Sequence, residues 1–480
     1  MNIWGISAGG HDASVSIVRN NRIVFASQSE RFSRIKNDKE LSVDLLNCAY
    51  SFGNPDVCMW YEKPHKRFLR NIIWDKKINF FNAKKYLENL GILTEIKYCN
   101  HHDSHAAACL YTYSGNAENS LIFIIDAVGE LNCMSTYIVK NNKLKILDVI
   151  NYPNSLGLFY SAMTDLLGYK ANEEEYIVMG MASYGDPYRF YNRVNDRIFK
   201  NGFKHLYYLN RGCRGLFEDN TITRYKFDIA AATQKIYEDK LLSYVKKQLY
   251  KYNSKKIMLG GGCALNCTAN SKLINLVDDI YIFPHPGDGG ASVGAALLYK
   301  KKTIQFNNAF LGFQEPDQSI ESVVDKIIKD GFCFVVNGKA EFGPRALGNR
   351  SILADPRDKN MQDRINNIKG RELFRPFAPS ILLEYFDQYF YSMGIGASPY
   401  MQYTFKCKKP TAIPATVHID GTSRVQTVDS NNPFLYEVLK LWFKKTNCPV
   451  LLNTSLNIKG KPLVNSLKDL SEFCLIDNNI

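Results

Sequence analysis

Two histidines four positions apart, His101 and His105 in the run HHDSHAAA, are the residues best suited to hold a metal ion. On a helix such positions share one face, with about 5–6 Å between Cβ atoms, so both imidazoles can reach a single cation. Ordinary surface helices show the same spacing, and both readings stand at this level. Asp126 follows the apolar run Leu121 to Ile125, and Asp288 lies in the turn His285-Pro-Gly-Asp-Gly-Gly290. Each is a carboxylate at a strand end beside glycine, and together they would complete a two-His, two-Asp set. Imidazole and carboxylate ligands suit Fe(II), Mn(II) or Zn(II) better than an ion that prefers thiolates.

Other residues point to anions. The turns Gly260-Gly-Gly-Cys-Ala-Leu-Asn266 and Gly287-Asp-Gly-Gly290 place unencumbered amides next to helix starts. There the amides and the helix dipole both favour a phosphate or nucleotide, although a plain turn would also use such glycines. Further along, Lys339, Arg345 and Arg350 flank a Gly-Pro turn, and Arg375 follows in Phe374-Arg-Pro-Phe-Ala-Pro379. Arginine forks match phosphate oxygens in pairs. Ion pairs with Glu341, Asp355 and Glu372 would explain some of these cations but not the whole group.

These residues need elements to carry them. At 480 residues the chain exceeds one ordinary core, so at least two domains are expected. Short strands at Asn2 to Ile6, Ser14 to Val18 and Arg22 to Ala26 form a β-meander, and a second follows over Leu121 to Ile150. Repeated β-β-β units followed by helices are what a two-lobed α/β domain that clasps a nucleotide would show. The polar, basic stretch Lys300 to Asn308 reads as a linker, with the domain break near 303–315. A strand at Phe332 to Val336 opens the next unit. No apolar run approaches the roughly 20 residues that span a bilayer, and the N-terminus lacks the basic start of a secretory signal. A cytoplasmic protein without membrane contact is expected. The 12 cysteines contain no C-x-x-C pair, so reduced, mostly buried thiols are expected rather than a thiolate zinc site.

A hydrophobic fraction of 45% with 22% charged residues excludes extensive disorder. The net charge of +13 is the distinctive bulk property. It gathers in two stretches where cations alternate with rings: Lys66, Arg67, Arg70, Lys76 and Lys77 beside Phe68, Trp74, Phe80 and Phe81, and Arg189 to Arg214 with Tyr207 and Tyr208. Such mixtures suit a polyanion with exposed bases, or equally a solvated Lys-rich surface.

The segments GISAGGHDAS, SERFSRIKND, HHDSHAAA, DAVGE, EYIVMGMASYG, GGGCALNC, PGDGGASVGAA, EFGPRALGNRSILADPR, RELFRPFAPS and PVLLNTSLNIKGKPLV run from residue 5 to residue 464. In kind and order they resemble the O-carbamoyltransferases of the nodulation-protein NodU, CmcH and TobZ type. The resemblance implies an α/β fold with two parts. Residues 1–308 would form an actin-like ATPase domain similar to the threonylcarbamoyl-transfer enzymes, and residues 309–480 a YrdC-like domain. It implies that the second domain joins carbamoyl phosphate to ATP (with Mg), giving carbamoyl-adenylate and pyrophosphate. The first would then pass the carbamoyl group to an acceptor hydroxyl at an iron site.

By that resemblance His101, His105, Asp126 and Asp288 become metal ligands, for Fe(II) or a similar divalent ion. His11 would orient or deprotonate the acceptor. Lys36, Glu130, Asp228, Gly261 and Gly262 would surround the carbamoyl-adenylate, while Lys339, Arg345, Arg375 and Asn457 would hold carbamoyl phosphate and ATP. The chain departs from the family pattern at Ala127, Ile177, Cys263 and Lys459, where glycine, lysine, a small aliphatic residue and arginine are common. The acceptor stays open between a hydroxymethylated pyrimidine in nucleic acid and a small-molecule or sugar hydroxyl. A non-catalytic nucleotide-binding or nucleic-acid-binding relative is the other class, and a homodimer is one arrangement left open.

Overall fold

The computed structural model describes residues 1–75, 80–200, 202–206 and 208–477. Lys76, Lys77 and Tyr207 of the basic stretches therefore lie outside the described residues. The chain divides into two compact units, Met1–Ala26 with Lys39–Phe306 and Ser27–Asp38 with Asn307–Ile480.

The first unit is built from two five-stranded sheets of the same design. One holds β1 (Ile3–Ser7), β2 (Ser14–Arg19), β3 (Arg22–Gln28), β4 (Val57–Trp60) and β5 (Ile96–Tyr98) in the order β3-β2-β1-β4-β5. The other holds β6 (Leu121–Gly129), β7 (Asn132–Lys140), β8 (Lys143–Asn151), β9 (Lys256–Gly260) and β10 (Asp279–Ile282) in the order β8-β7-β6-β9-β10. In each, the leading strand pairs antiparallel with the second and parallel with the fourth. The two meanders expected from the sequence open the two sheets, and the result is a duplicated α/β fold. β6 is buried from Leu121 to Asp126, as a strand covered on both faces must be.

Two helices carry the candidate site, α1 (His101–Thr112) and α2 (Asp288–Lys300). The α2 sequence, Asp-Gly-Gly-Ala-Ser-Val-Gly-Ala-Ala, is a poor surface helix but a good close-packing one. A Cβ placed on Gly294 would overlap the Ser104 carbonyl oxygen of α1, and one on Gly5 of β1 would overlap the Ser292 carbonyl of α2. The small residues let backbone touch backbone on both sides of α2. That contact brings Asp288, at the start of α2, against the first turn of α1.

In the second unit β11 (Phe332–Val336), β12 (Arg350–Ala354), β13 (Ala378–Leu382), β14 (Gln426–Val428) and β15 (Val450–Ser455) form a mixed sheet in the order β11-β12-β15-β13-β14. Its strands alternate cleanly. Cys333, Val335, Leu353 and Leu451 face Trp442 and Leu439, while Val336, Ile352 and Leu452 face Met361, Ile365 and Phe473. The early segment Ser27–Asp38 joins this unit through its cations. Arg31 Nη2 donates to the Gly343 carbonyl at 2.7 Å, and Arg34 donates to the carbonyls of Leu463 and Pro462. A single break near residue 306 does not describe that exchange of chain, which no local sequence pattern announces.

One expectation needs correction here. Arg350 is no phosphate ligand: it is fully buried, and its guanidinium donates to the carbonyls of Asn465, Asn337, Asn349, Phe313 and Gly338 at 2.7–3.1 Å. It staples the Glu341–Arg350 loop from inside. Glu341 completes that loop, its Oε1 accepting the amides of Leu347, Asn349 and Arg350 at 2.8, 2.8 and 3.1 Å. No disulfide joins the cysteines among the described residues, and most of them are buried. No helix among the described residues is long and apolar enough to cross a membrane.

Gly294→Val should separate α1 from α2 and destabilise the first unit by about 1–3 kcal/mol, read as a lower midpoint in denaturant unfolding. Arg350→Met should strand several buried carbonyls at about 1–3 kcal/mol each, with faster amide exchange confined to the second unit.

Candidate functional site

The first turn of α1 is fixed before any ligand arrives. Asn100, the residue before the helix, donates through Nδ2 to Asp103 at 2.6 Å and accepts from Lys66 Nζ at 2.8 Å. Tyr137 OH donates to the other Asp103 oxygen at 2.8 Å, and His102 Nδ1 lies 2.7 Å from Ser135 Oγ. His102 is driven down to about 3 by burial, with Asp126 opposing and His101 adding to the shift, so it is neutral at ordinary pH. Nearly every residue of α1 is buried, which removes the surface-helix reading of His101 and His105.

Asp126 sits where the β6–β7 register is broken. The turn after β9 presses on it: Gly261 has φ +84°, and a Cβ there would overlap the Ile125 carbonyl. Only glycine combines that conformation with that approach. The next amide, Gly262 N–H, donates to Asp126 Oδ1 at 2.6 Å. The Gly261-Gly262 turn therefore aims the carboxylate, leaving Oδ2 buried without a hydrogen-bond partner.

Four side chains meet at this point. His101 Nε2 and His105 Nε2 are 3.1 Å apart. Asp126 Oδ2 lies 3.6 and 3.4 Å from them, and Asp288 Oδ1 lies 3.4 and 3.5 Å from them. One ligand atom from each falls within 4.8 Å of the others. Bonds of about 2.1 Å to one ion put neighbouring ligand atoms about 3.0 Å apart in octahedral and about 3.4 Å apart in tetrahedral geometry. The His–His and His–Asp separations, 3.1–3.6 Å, lie close to that range, so this N₂O₂ set fits one divalent cation. Burial alone would oppose charge on His101, yet Asp288 and Asp126 lift it well above its ordinary value. Burial likewise works against both carboxylates, but the imidazoles hold Asp126 low and Asp288 lower still.

His11 stands over this cluster in the loop after β1. Its Nδ1 is 3.1 Å from Asp12 Oδ2. Burial works to lower its pKa, but Asp12 and Asp288 raise it to about 9. Arg67 fastens the loop by donating to the Gly9 carbonyl and, at 2.8 Å, to buried Glu62. Asp12, Glu62 and Arg67 were not singled out as site residues in the sequence; the His11-Asp12 neighbour pair was the only local signal for any of them.

The remaining candidates scatter around these. Glu130, at φ +59°, accepts the Lys63 amide at 2.7 Å and lies 3.5 Å from Lys66 Nζ. Asp228 accepts the Asp186 amide at 2.8 Å and pairs with Arg189 at 2.9 Å. Lys36 belongs to the second unit, paired with Glu30 at 3.1 Å. Ile177, where the family pattern favours lysine, is buried in the core. In the second unit Lys339 and Arg345 flank the loop closed by Glu341, both half-buried. Arg375 lies 3.5 Å from Glu372, which also pairs with Lys459. Asn457 lies just past the end of β15, its Nδ2 donating to the Lys461 carbonyl at 2.8 Å.

Residues 63–297 match the family model "Carbamoyltransferase N-terminus", and residues 324–478 match "Carbamoyltransferase C-terminus". The chain is 33% identical to nodulation protein NolO of Bradyrhizobium diazoefficiens, covering 77% of this chain and 75% of that protein. It is 30% identical to an uncharacterized Synechocystis protein, covering 97% and 93%. It is 25% identical to the 3'-hydroxymethylcephem-O-carbamoyltransferase of Amycolatopsis lactamdurans, covering 97% and 95%. With both halves of the family model matched in order and full-length relatives aligned, this chain belongs to the carbamoyltransferase family and is an enzyme of carbamoyl transfer.

Proposed function

We propose that the protein carries a carbamoyl group from carbamoyl phosphate to an acceptor hydroxyl by way of a carbamoyl-adenylate made with ATP. The observation that carries this reading is the buried cage of His101, His105, Asp126 and Asp288 next to the His11–Asp12 pair. In the second unit, water splits carbamoyl phosphate to carbamate and orthophosphate. A carbamate oxygen then attacks the α-phosphorus of Mg-bound ATP, and pyrophosphate leaves. Lys339, Arg345, Arg375 and Asn457 would bind and orient those anions, as arginine forks do best.

The first unit completes the transfer. Fe(II) or a similar cation held by the four side chains would supply a Lewis acid for the adenylate phosphate. His11, oriented through Nδ1 by Asp12, presents Nε2 to the acceptor hydroxyl. The acceptor oxygen attacks the carbamoyl carbon, its proton passes to Nε2 of the neutral imidazole, and the bond to AMP breaks; with His11 raised to about 9, this step should speed up as pH rises toward that value. A positioned base of this kind is worth about 10²–10⁴-fold in rate. Glu130, Asp228 and the Gly261-Gly262 turn would frame the adenylate, with Gly262 acting through Asp126.

One surface feature bears on the acceptor. The first basic stretch is engaged inward, with Lys66, Arg67 and Arg70 donating to Asn100, Glu62 and the Val128 carbonyl. The second remains at the surface. Arg189 and Arg224 lie over Tyr225 at 5.0 and 5.1 Å, Arg193 lies over Phe217 at 4.5 Å, and Tyr188 is 71% exposed beside them. Stacked guanidinium groups with an exposed ring favour an acceptor that carries phosphates and bases, such as hydroxymethylated nucleic acid, over an uncharged sugar.

Asp126→Asn and His105→Ala should each lose bound iron or manganese by elemental analysis and slow transfer by about 10²-fold or more. Both should keep carbamoyl-phosphate-dependent ATP–pyrophosphate exchange, because that step belongs to the other unit. Wild-type protein incubated with ATP, carbamoyl phosphate and hydroxymethylated DNA or a sugar should add one carbamoyl mass to its acceptor; the absence of exchange and of any transfer would overturn the reading. Binding of hydroxymethylated single strands should weaken steeply with salt. A flat salt response would leave the small-molecule hydroxyl as the acceptor.

A further inference from the structure

The strand beside the His11 loop ends in a side chain that the transfer chemistry has not used. β4 pairs parallel with β1, and the Tyr61 amide extends that pairing by one step, donating to the Ile6 carbonyl at 3.0 Å. Tyr61 therefore leaves the sheet level with the start of the loop that carries His11, at the C-terminal strand ends where open α/β sheets place their ligands. The residues that follow pin it there. Glu62 pairs with Arg67, which also holds the Gly9 carbonyl, and the Lys63 amide donates to Glu130 at 2.7 Å.

The Tyr61 side chain is 1% exposed, and its ring centre lies 5.2 Å from that of His101. Its hydroxyl comes up against Gly10, the residue before His11. A Cβ on Gly10 would sit 2.6 Å from that hydroxyl and 4.0 Å from Asp288 Oδ2. Glycine at position 10 thus leaves a gap bordered by the phenol oxygen on one side and a cage carboxylate on the other. A buried tyrosine hydroxyl ordinarily finds a hydrogen-bond partner. Among the described residues, no hydrogen bond engages this one. A phenol of ordinary acidity, with a pKa of about 10, keeps its proton at neutral pH. Burial and the nearby carboxylates of Glu62 and Asp288 push in the same direction, so the hydroxyl is a donor without an acceptor.

We propose that Tyr61 is a further catalytic residue of the first unit, its hydroxyl donating a hydrogen bond to the carbamoyl oxygen as the acceptor attacks. This rests on the transfer step proposed above. When the acceptor oxygen bonds to the carbamoyl carbon, the C=O electron pair moves onto the carbamoyl oxygen, and negative charge grows there. The Tyr61 hydroxyl stands between the loop of His11, which takes the acceptor proton, and the cage residues His101 and Asp288. It keeps its own proton throughout. The electron pair returns as the bond to AMP breaks. A donor aimed at charge that exists only during the reaction stabilises the transition state more than the bound substrate.

The test is carbamoyl transfer by full-length protein from ATP and carbamoyl phosphate to hydroxymethylated DNA, with AMP release to water measured in parallel. Tyr61→Phe should lower kcat for both about 10²–10³-fold, the usual cost of one lost oxyanion donor. KM for the DNA should change less than about threefold, as expected for an interaction made only in the transition state. Melting temperature, bound metal and ATP–pyrophosphate exchange should match wild type, and the rise of rate with pH set by His11 should persist. Gly10→Ala, whose methyl would crowd the hydroxyl, should also slow transfer. If Tyr61→Phe fails to fold, Gly10→Ala carries the comparison, and a wild-type rate there overturns the proposal. Wild-type kcat in folded Tyr61→Phe overturns the role of Tyr61 and leaves the transfer reading intact. A slow variant that has lost its metal or its pH profile also overturns the donor role, because Tyr61 then only supports His101 and the His11 loop. Wild-type protein that passes carbamoyl neither to DNA nor to water overturns the transfer reading, and the role of Tyr61 with it.

Discussion

Two carboxylates and two imidazoles buried against one another set the terms for the rest of the first unit. Taking an isolated carboxylate out of water costs several kcal/mol, so Asp126 and Asp288 persist only where opposite charge surrounds them. His101 and His105 face both carboxylates, and a cation held by the four groups would supply such charge. The four atoms must then stay within a few tenths of an ångström of their places. The backbone contact between α1 and α2 supplies that tolerance, and the Gly262 amide aims one oxygen of Asp126. Lysine, tyrosine and serine side chains then lock the first turn of α1 from behind. A packed core transmits such constraints because it has no slack to absorb them.

The second unit uses buried charge in two different ways. Arg350 and the Oε1 atom of Glu341 each meet several backbone groups, so their charge shapes the Glu341–Arg350 loop. Lys369 meets backbone and side-chain oxygens that are all uncharged. Arginine count in a motif does not separate these cases, whereas partner chemistry does.

The same distinction divides the surplus of basic residues. Arg67, conspicuous in the first basic stretch, is a half-buried fastener of the His11 loop, paired with Glu62. Arg189, Arg193 and Arg224 remain at the surface on aromatic rings, where one face of each guanidinium still meets solvent. A net charge of +13 therefore overstates what a polyanion could use. Part of it is structural.

Several features were legible in the sequence because they are local. The strands of both meanders follow from short β-branched runs between turns, and the small-residue character of α2 is written in Asp-Gly-Gly-Ala-Ser-Val-Gly-Ala-Ala. The pairing of His101 with His105 needed only helical periodicity, and the family followed from motifs in fixed order. Tertiary structure alone decided the rest. The Ser27–Asp38 segment joined the later unit because Arg31 and Arg34 found carbonyls hundreds of residues away. Arg350 became a staple and Lys369 a buried charge because burial and partners are properties of three-dimensional neighbours. Residue type and spacing determine which chemistry a side chain is able to do; desolvation and the groups that face it decide which it does.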